Sequence, residues 1–186
     1  KGTYRERVNP SRGGTSERKR IVYRAAQGEH VEIKGSEVIT GWEKFQGNVW
    51  KASIPNSFFG DYNPYKDVIA GDWFNDQGRE HHTGEVYLNG ESLYETNLLE
   101  DVLKSRTIKN TAGREIYPWY CESDKAYTYI YADFQDHNPN TDMVEINVRK
   151  SCFYPDESGK DLITVSGFHT SHAATQWAPP TAEQIG

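Results

Sequence analysis

At 186 residues the chain can bury one good core or two small ones, and a mean hydropathy of -0.83 with 26% charged residues excludes a membrane span. The net charge is -6, yet residues 1–24 hold eight of the 21 basic side chains. Such an arm suits nucleic acid or an acidic polysaccharide, but no zinc-finger, helix-turn-helix or RNA-binding aromatic pattern accompanies it, so it reads as a solvated face and nucleic acid is not an expected partner.

No apolar stretch has the length of a signal peptide, and the chain begins KGTYRE. It therefore reads as a piece of a longer polypeptide whose localisation is open. In chain order, RIVYRA (20–25) and HVEIK (30–34) are short alternating runs around the turn AQGE. A segment of different character follows, with NVWKASIP (48–55), GEVYLNGESLYE (84–95), EIYPWYCES (115–123) and AYTYIYADF (126–134). These are longer, aromatic strands: Val86 and Leu88 oppose Tyr87 and Asn89, and Tyr127, Tyr129 and Tyr131 oppose Thr128 and Ile130. Asn89-Gly90 predicts a type I′ hairpin. One helix is expected after Asn97, capped by it, with Glu100 at the third position and a stripe of Leu98, Leu99, Val102 and Leu103.

Short runs return at MVEINV (143–148) and LITVSGFHTSHA (162–173). Val22, Val31, Ile33, Ile146, Val148, Ile163 and Val165 sit at period-two positions, and Gly167 can turn a corner. Short strands with small turns suit stacked coils of a parallel β-helix, each burying aliphatics against the next. The prediction is an all-β protein: partial parallel β-helix coils in 1–41 and 143–186 flank an inserted antiparallel β-sandwich with one short helix in 42–142. One large sandwich is an alternative all-β reading.

The densest chemical signal is FFGDYNPYKDVIAGDWF, which holds Phe58, Phe59, Tyr62, Tyr65, Trp73 and Phe74 among Asp61, Asn63, Asp67 and Asp72. A sugar presents a C–H face to stack and a rim of hydroxyls to satisfy, so rings among carboxylates and amides suggest carbohydrate handling. The same rings can equally anchor a loop to its scaffold. Trp73 is the leading contact residue, because Gly71 and Asp72 allow a tight turn that presents it, although the indole can also plug the base of the loop. The aspartates read as turn formers and not as a self-contained catalytic dyad.

The remaining candidates are weaker. Cys121 and Cys152 have no metal-ligand spacing and read as buried free thiols. His81, His82 and Glu85 lack the helical H-E-x-x-H arrangement, and period-two geometry sends His169 and His172 to opposite strand faces. No metal site and no cofactor are therefore expected. His169, His172 and Trp177, with Pro179-Pro180, follow a coil and can line a cleft or form a stiffened loop.

The strings GTYRERVNP, VEIKGSEVITGWEKFQGNVWK, IPNSFFGDYNPY, GDWF, VYLNG, VEINVRKSCFYP and ITVSGFHTSHAATQWAPPTAEQ resemble the N-terminal part of the β-xylosidases of glycoside hydrolase family 120. The likeness runs through essentially the whole chain. It implies a right-handed parallel β-helix interrupted by a β-sandwich, and a retaining hydrolase whose nucleophile and acid/base lie on later coils, beyond the equivalent of Gly186. It further implies xylo-oligosaccharide as the carbohydrate substrate, no catalytic carboxylate in this stretch, and a homo-oligomer as a possible assembly. Trp73 matches the tryptophan of the family's GDW motif, beside the sugar. Asp72, Phe59, Tyr62, Tyr65, His169 and His172 are further expected substrate contacts, by proximity. A non-catalytic carbohydrate-binding module and a β-helix polysaccharide lyase are the alternative classes.

Overall fold

The computed structural model describes residues 1–71 and 74–174, and they form an all-β chain with one short helix. The strands are β1 (Gly2–Tyr4), β2 (Ile21–Arg24), β3 (Val31–Lys34), β4 (Ser36–Val38), β5 (Glu43–Gln46), β6 (Val49–Pro55), β7 (Val86–Leu88) and β8 (Glu91–Ser92). They continue with β9 (Tyr94–Glu95), β10 (Ile108–Lys109), β11 (Glu115–Ile116), β12 (Pro118–Ser123), β13 (Tyr127–Asp133), β14 (Val144–Asn147), β15 (Ile163–Ser166) and β16 (Phe168–Ser171). A 3-10 turn spans Asn56–Phe59, and helix α1 spans Leu99–Leu103.

Two sheets share the main core. One has the order β5-β6-β13-β12-β9 and the other β4-β14-β7-β8. Ala52, Ile54, Trp119, Cys121, Ile130 and Ala132 from the first meet Val86, Val144 and Ile146 from the second, with Trp42, Phe59, Tyr65 and Phe134 closing the layer. Each large apolar side chain buried this way contributes about 1.5–3 kcal/mol. The alternation read in AYTYIYADF holds: Thr128 and Ile130 face the core, while Tyr129 and Tyr131 face outward beneath the Lys51 ammonium, 4.3 and 5.2 Å from their ring centroids. Helix α1 covers part of that outer face, packing Val102, Leu99 and Leu103 against Tyr131 and Tyr129.

The hairpin between β7 and β8 turns at Asn89 and Gly90 with φ of 52° and 86°, as a type I′ turn requires. The helix cap differs from expectation. Leu98 occupies the N-cap, no side chain caps it, and Thr96 Oγ1 donates to the Leu98 carbonyl at 3.0 Å. The helix therefore begins one residue later than the capping box placed it.

β10 and β11 form a small antiparallel pair, and the remaining strands pair in parallel. β3 lies between β1 and β16, with Val31 opposite Gly2 and Phe168, and Ile33 opposite Tyr4 and Thr170. β15 runs beside β2 from Ile163↔Ile21 to Ser166↔Arg24. Gly167 joins β15 to β16 at φ 80°, and an added Cβ there would approach Ala25 Cβ to 3.2 Å. Ile33 is buried as expected, but Val22 and Val165 face outward at 50% and 42% exposure. Ile21 and Tyr23 take the inward positions of β2, and Tyr23 packs edge-on against Phe153. Cys152 lies outside any strand, and both cysteines are buried and free.

Gly84 marks a contact that the sequence pattern could not show. A Cβ on it would lie 2.6 Å from the Tyr65 ring, which is buried and held by its hydroxyl. Gly84→Ala is therefore expected to cost about 1–3 kcal/mol through overpacking. Urea unfolding reads this as a lower midpoint, and an unchanged midpoint would show that the ring gives way freely.

Candidate functional site

The aromatic window leaves β6 through the 3-10 turn and returns to the sheet at β7. Asn63 organises its first half: Nδ2 donates to Thr128 Oγ1 at 2.8 Å, and Oδ1 accepts from the Tyr65 amide at 3.0 Å. Tyr65 then points its hydroxyl across the core to the Glu85 carbonyl at 2.7 Å. Asn147 of β14 completes the seam, accepting from the Glu85 amide at 2.8 Å and donating to the Thr83 carbonyl at 2.9 Å. The far part of the window is pinned where Val68 bridges His82 and the Ile69 amide donates to the His81 carbonyl at 2.7 Å.

Tyr62 is the polar hub of this loop. Its hydroxyl donates to the Ala174 carbonyl at 2.7 Å, with Asp67 Oδ2 at 3.0 Å as a second acceptor, and pairs with Thr83 Oγ1 at 2.7 Å. Burial pushes its ionisation up. Its ring lies 6.0 Å from the Lys150 ammonium. Tyr62 thus ties the aromatic loop to the segment that follows β16.

Beside the loop lies a buried charge cluster. Glu145 of β14 is fully buried and accepts from Arg5 Nη1 at 2.5 Å, Lys34 Nζ at 2.9 Å and Ser36 Oγ at 2.9 Å. His172 Nδ1 stands 3.7 Å from the same carboxylate, and its ring stacks on Tyr87 at 3.7 Å between centroids and 12° between planes. Burial opposes ionisation here, but the nearby His172 ring and the bonds from Lys34, Arg5 and Ser36 outweigh it and hold the carboxyl well below the usual range. A second acid, half-buried, behaves oppositely. Burial pushes Glu85 up to about 8, against the donations it receives from the Val86 amide at 3.1 Å and Trp119 Nε1 at 3.0 Å.

Of the expected substrate contacts, Trp73 and Asp72 lie outside the described residues, as do Trp177, Pro179 and Pro180. Phe59 and Tyr65 lie in the core at 6% and 2% exposure with ring centroids 5.7 Å apart, Phe59 edge-on to Phe58 and Tyr65 edge-on to Trp119. Tyr62 is half-buried and committed to the protein. His169 and His172 are not brought together: His169 is exposed on β16 with His30 at 4.5 Å, whereas His172 leaves the strand at φ 57°. Sequence reasoning misses Glu145 and Asn147, whose only signal is a carboxylate and an amide inside an apolar run, and weighs Glu85 only as a neighbour of the His81–His82 pair.

The model of the glycoside hydrolase 120 insertion domain matches residues 39–146, more than half of the chain. A solved structure, the complex of XylC with xylose, matches with a TM-score of 0.88 and 48% sequence identity, covering 100% of this chain and 31% of that one. No curated protein sequence matches the chain. The chain thus spans about a third of that solved relative. The two-sheet core from Ile39 to Ile146 coincides with the matched stretch, and the chain belongs to glycoside hydrolase family 120 through its insertion domain.

Proposed function

We propose that the chain is the N-terminal portion of a retaining glycoside hydrolase acting on β-xylosides or xylo-oligosaccharides, and that its aromatic loop positions the substrate. The observation that carries this reading is 48% identity, along the full chain, to part of a protein solved with xylose. The parallel stacks β1-β3-β16 and β2-β15 support a reading of residues 1–41 and 143–186 as β-helix coils around an inserted sandwich at 42–142. Coils adjacent in space but more than a hundred residues apart are what such an insertion produces.

In this reading the loop from Phe58 to Phe74 stands against the coil junction, joined through Tyr62 and Ala174. Trp73 stacks on the sugar ring, and Asp72 bonds its hydroxyls. A retaining mechanism needs two carboxyl groups about 5 Å apart. That pair is supplied from outside these 186 residues. Glu145 is saturated by its cations and Glu85 is taken up by the Val86 amide and Trp119 Nε1, so neither has the open geometry of a nucleophile.

Hydrolysis of an aryl β-xyloside tests the reading. The 186-residue chain should show no turnover, and a version extended past Gly186 should be active. In the extended protein Trp73→Ala should lower kcat/KM by about tenfold to a hundredfold with little change in melting temperature. Turnover by the short chain alone would sink the assignment of the carboxylates. A large loss of stability with unchanged kinetics would make Trp73 a plug.

A further inference from the structure

Three side chains of different ligand type converge inside the two-sheet unit, and nothing in the proposed glycosidase chemistry uses them. His82 comes from the bridge with Val68, Glu95 from β9 and Cys121 from β12. β9 and β12 run parallel with Glu95 opposite Trp119, so Cys121, two residues further along, shares the face of Glu95. The ligand atoms of the three all lie within 4.8 Å of one another. Cys121 is 6% exposed, and the side chains of His82 and Glu95 are 17% and 13% exposed.

The group is oriented before any ion arrives. One carboxylate oxygen of Glu95 accepts from the His82 amide at 3.0 Å, and the other lies 2.6 Å from His82 Nδ1. The thiol sits 3.8 Å from the same ring nitrogen and 3.9 Å from the Tyr65 carbonyl, both at the outer limit for sulfur. An imidazole–carboxylate pair alone would account for His82 and Glu95. It does not account for a buried thiol aimed at the shared atom.

We propose that His82 Nδ1, the Glu95 carboxylate and Cys121 Sγ bind one zinc ion, with a fourth position open to water. Thiolate, imidazole and carboxylate together form a borderline-soft set that suits Zn²⁺ over Mg²⁺ or Ca²⁺. With metal–ligand distances of about 2.3 Å to sulfur and 2.0 Å to nitrogen, tetrahedral geometry places the two ligands about 3.5 Å apart. The 3.8 Å spacing is close to that, and the imidazole–carboxylate contact has to open by about 0.7 Å to reach the corresponding edge. The thiol proton passes to solvent as the sulfur–metal bond forms, and the proton shared by His82 Nδ1 and Glu95 is displaced by the ion, leaving a neutral imidazole with its single proton on Nε2. Thiolate and carboxylate then neutralise the divalent charge. The ion clamps the base of the segment between Val68 and His82, which carries Gly71-Asp72-Trp73-Phe74, onto β9 and β12. This inference does not depend on the identity of the sugar.

Titration of the chelator-treated 186-residue chain with Co²⁺ tests it. One equivalent should give tetrahedral visible bands and a thiolate-to-cobalt charge-transfer band, which Zn²⁺ then displaces. Zn²⁺ should also release protons and raise the melting temperature. Cys121→Ser should remove the charge-transfer band, and His82→Gln should weaken Co²⁺ binding by about a hundredfold or more. Glu95→Gln, on the sheet edge, reads the same site should the Cys121 variant fail to fold. A cobalt spectrum without charge transfer would overturn the proposal, as would equal Zn²⁺ affinity in the wild type and the Glu95 and Cys121 variants.

Discussion

Replacing Glu145 with alanine is expected to lower stability by about 3–5 kcal/mol, because it leaves buried cations without their partner. Lys34 Nζ bonds both carboxylate oxygens, Arg5 Nη1 bonds one, and the Lys34 side chain is only 8% exposed. The cluster joins β3, β4 and β14 with the segments after β1 and β16, so its loss should separate the parallel stack from the two-sheet unit. The pH dependence follows from the sign of the shift. The folded pKa lies below the ordinary 4.5, so the stabilisation is fully present above about 4.5 and is lost as pH falls through the folded value. Glu145→Gln, which keeps the shape, should remove that acid-limb slope. A guanidinium midpoint unchanged in Glu145→Ala would show that the cluster contributes nothing to holding the halves together.

Glu85 should produce the opposite slope. Its folded pKa is raised from 4.5 to about 8 by burial, so its contribution is fully present below about 4.5 and is lost as pH rises toward 8. Glu85→Gln keeps an acceptor for Trp119 Nε1 and the Val86 amide but has no proton to lose. The variant should match the wild type near pH 4 and exceed it by a few kcal/mol above pH 8, at about 1.4 kcal/mol per unit of pKa difference. Coincident melting curves across that range would show that Glu85 stays solvated.

Much of the architecture was legible in the chain. The period-two alternation of AYTYIYADF predicts which residues enter the core, since successive side chains of a strand must point to opposite faces. Asn89-Gly90 predicts its turn because both positions need positive φ. Misreadings arose where local pattern met tertiary packing. β14 is buried along its whole length because one face meets the core and the other the ion cluster, so alternation could not separate Glu145 and Asn147 from the surface. Phe59 and Tyr65 carried the composition of a sugar site but pack as core, because Trp119 and Gly84 leave a ring-shaped space only the fold creates.

The sequence by itself determined the class of the protein. Strand periods, a hairpin dipeptide and long strings shared with one hydrolase family are properties of neighbouring residues, and they survive without a structure. Which polar groups act together was decided by the tertiary structure alone. Arg5, Lys34, Glu145 and His172, like His82, Glu95 and Cys121, are distant in the chain and meet only because sheet register superimposes them. A charge in a sequence carries no record of its partner, and burial supplies the low dielectric that makes the partnership strong.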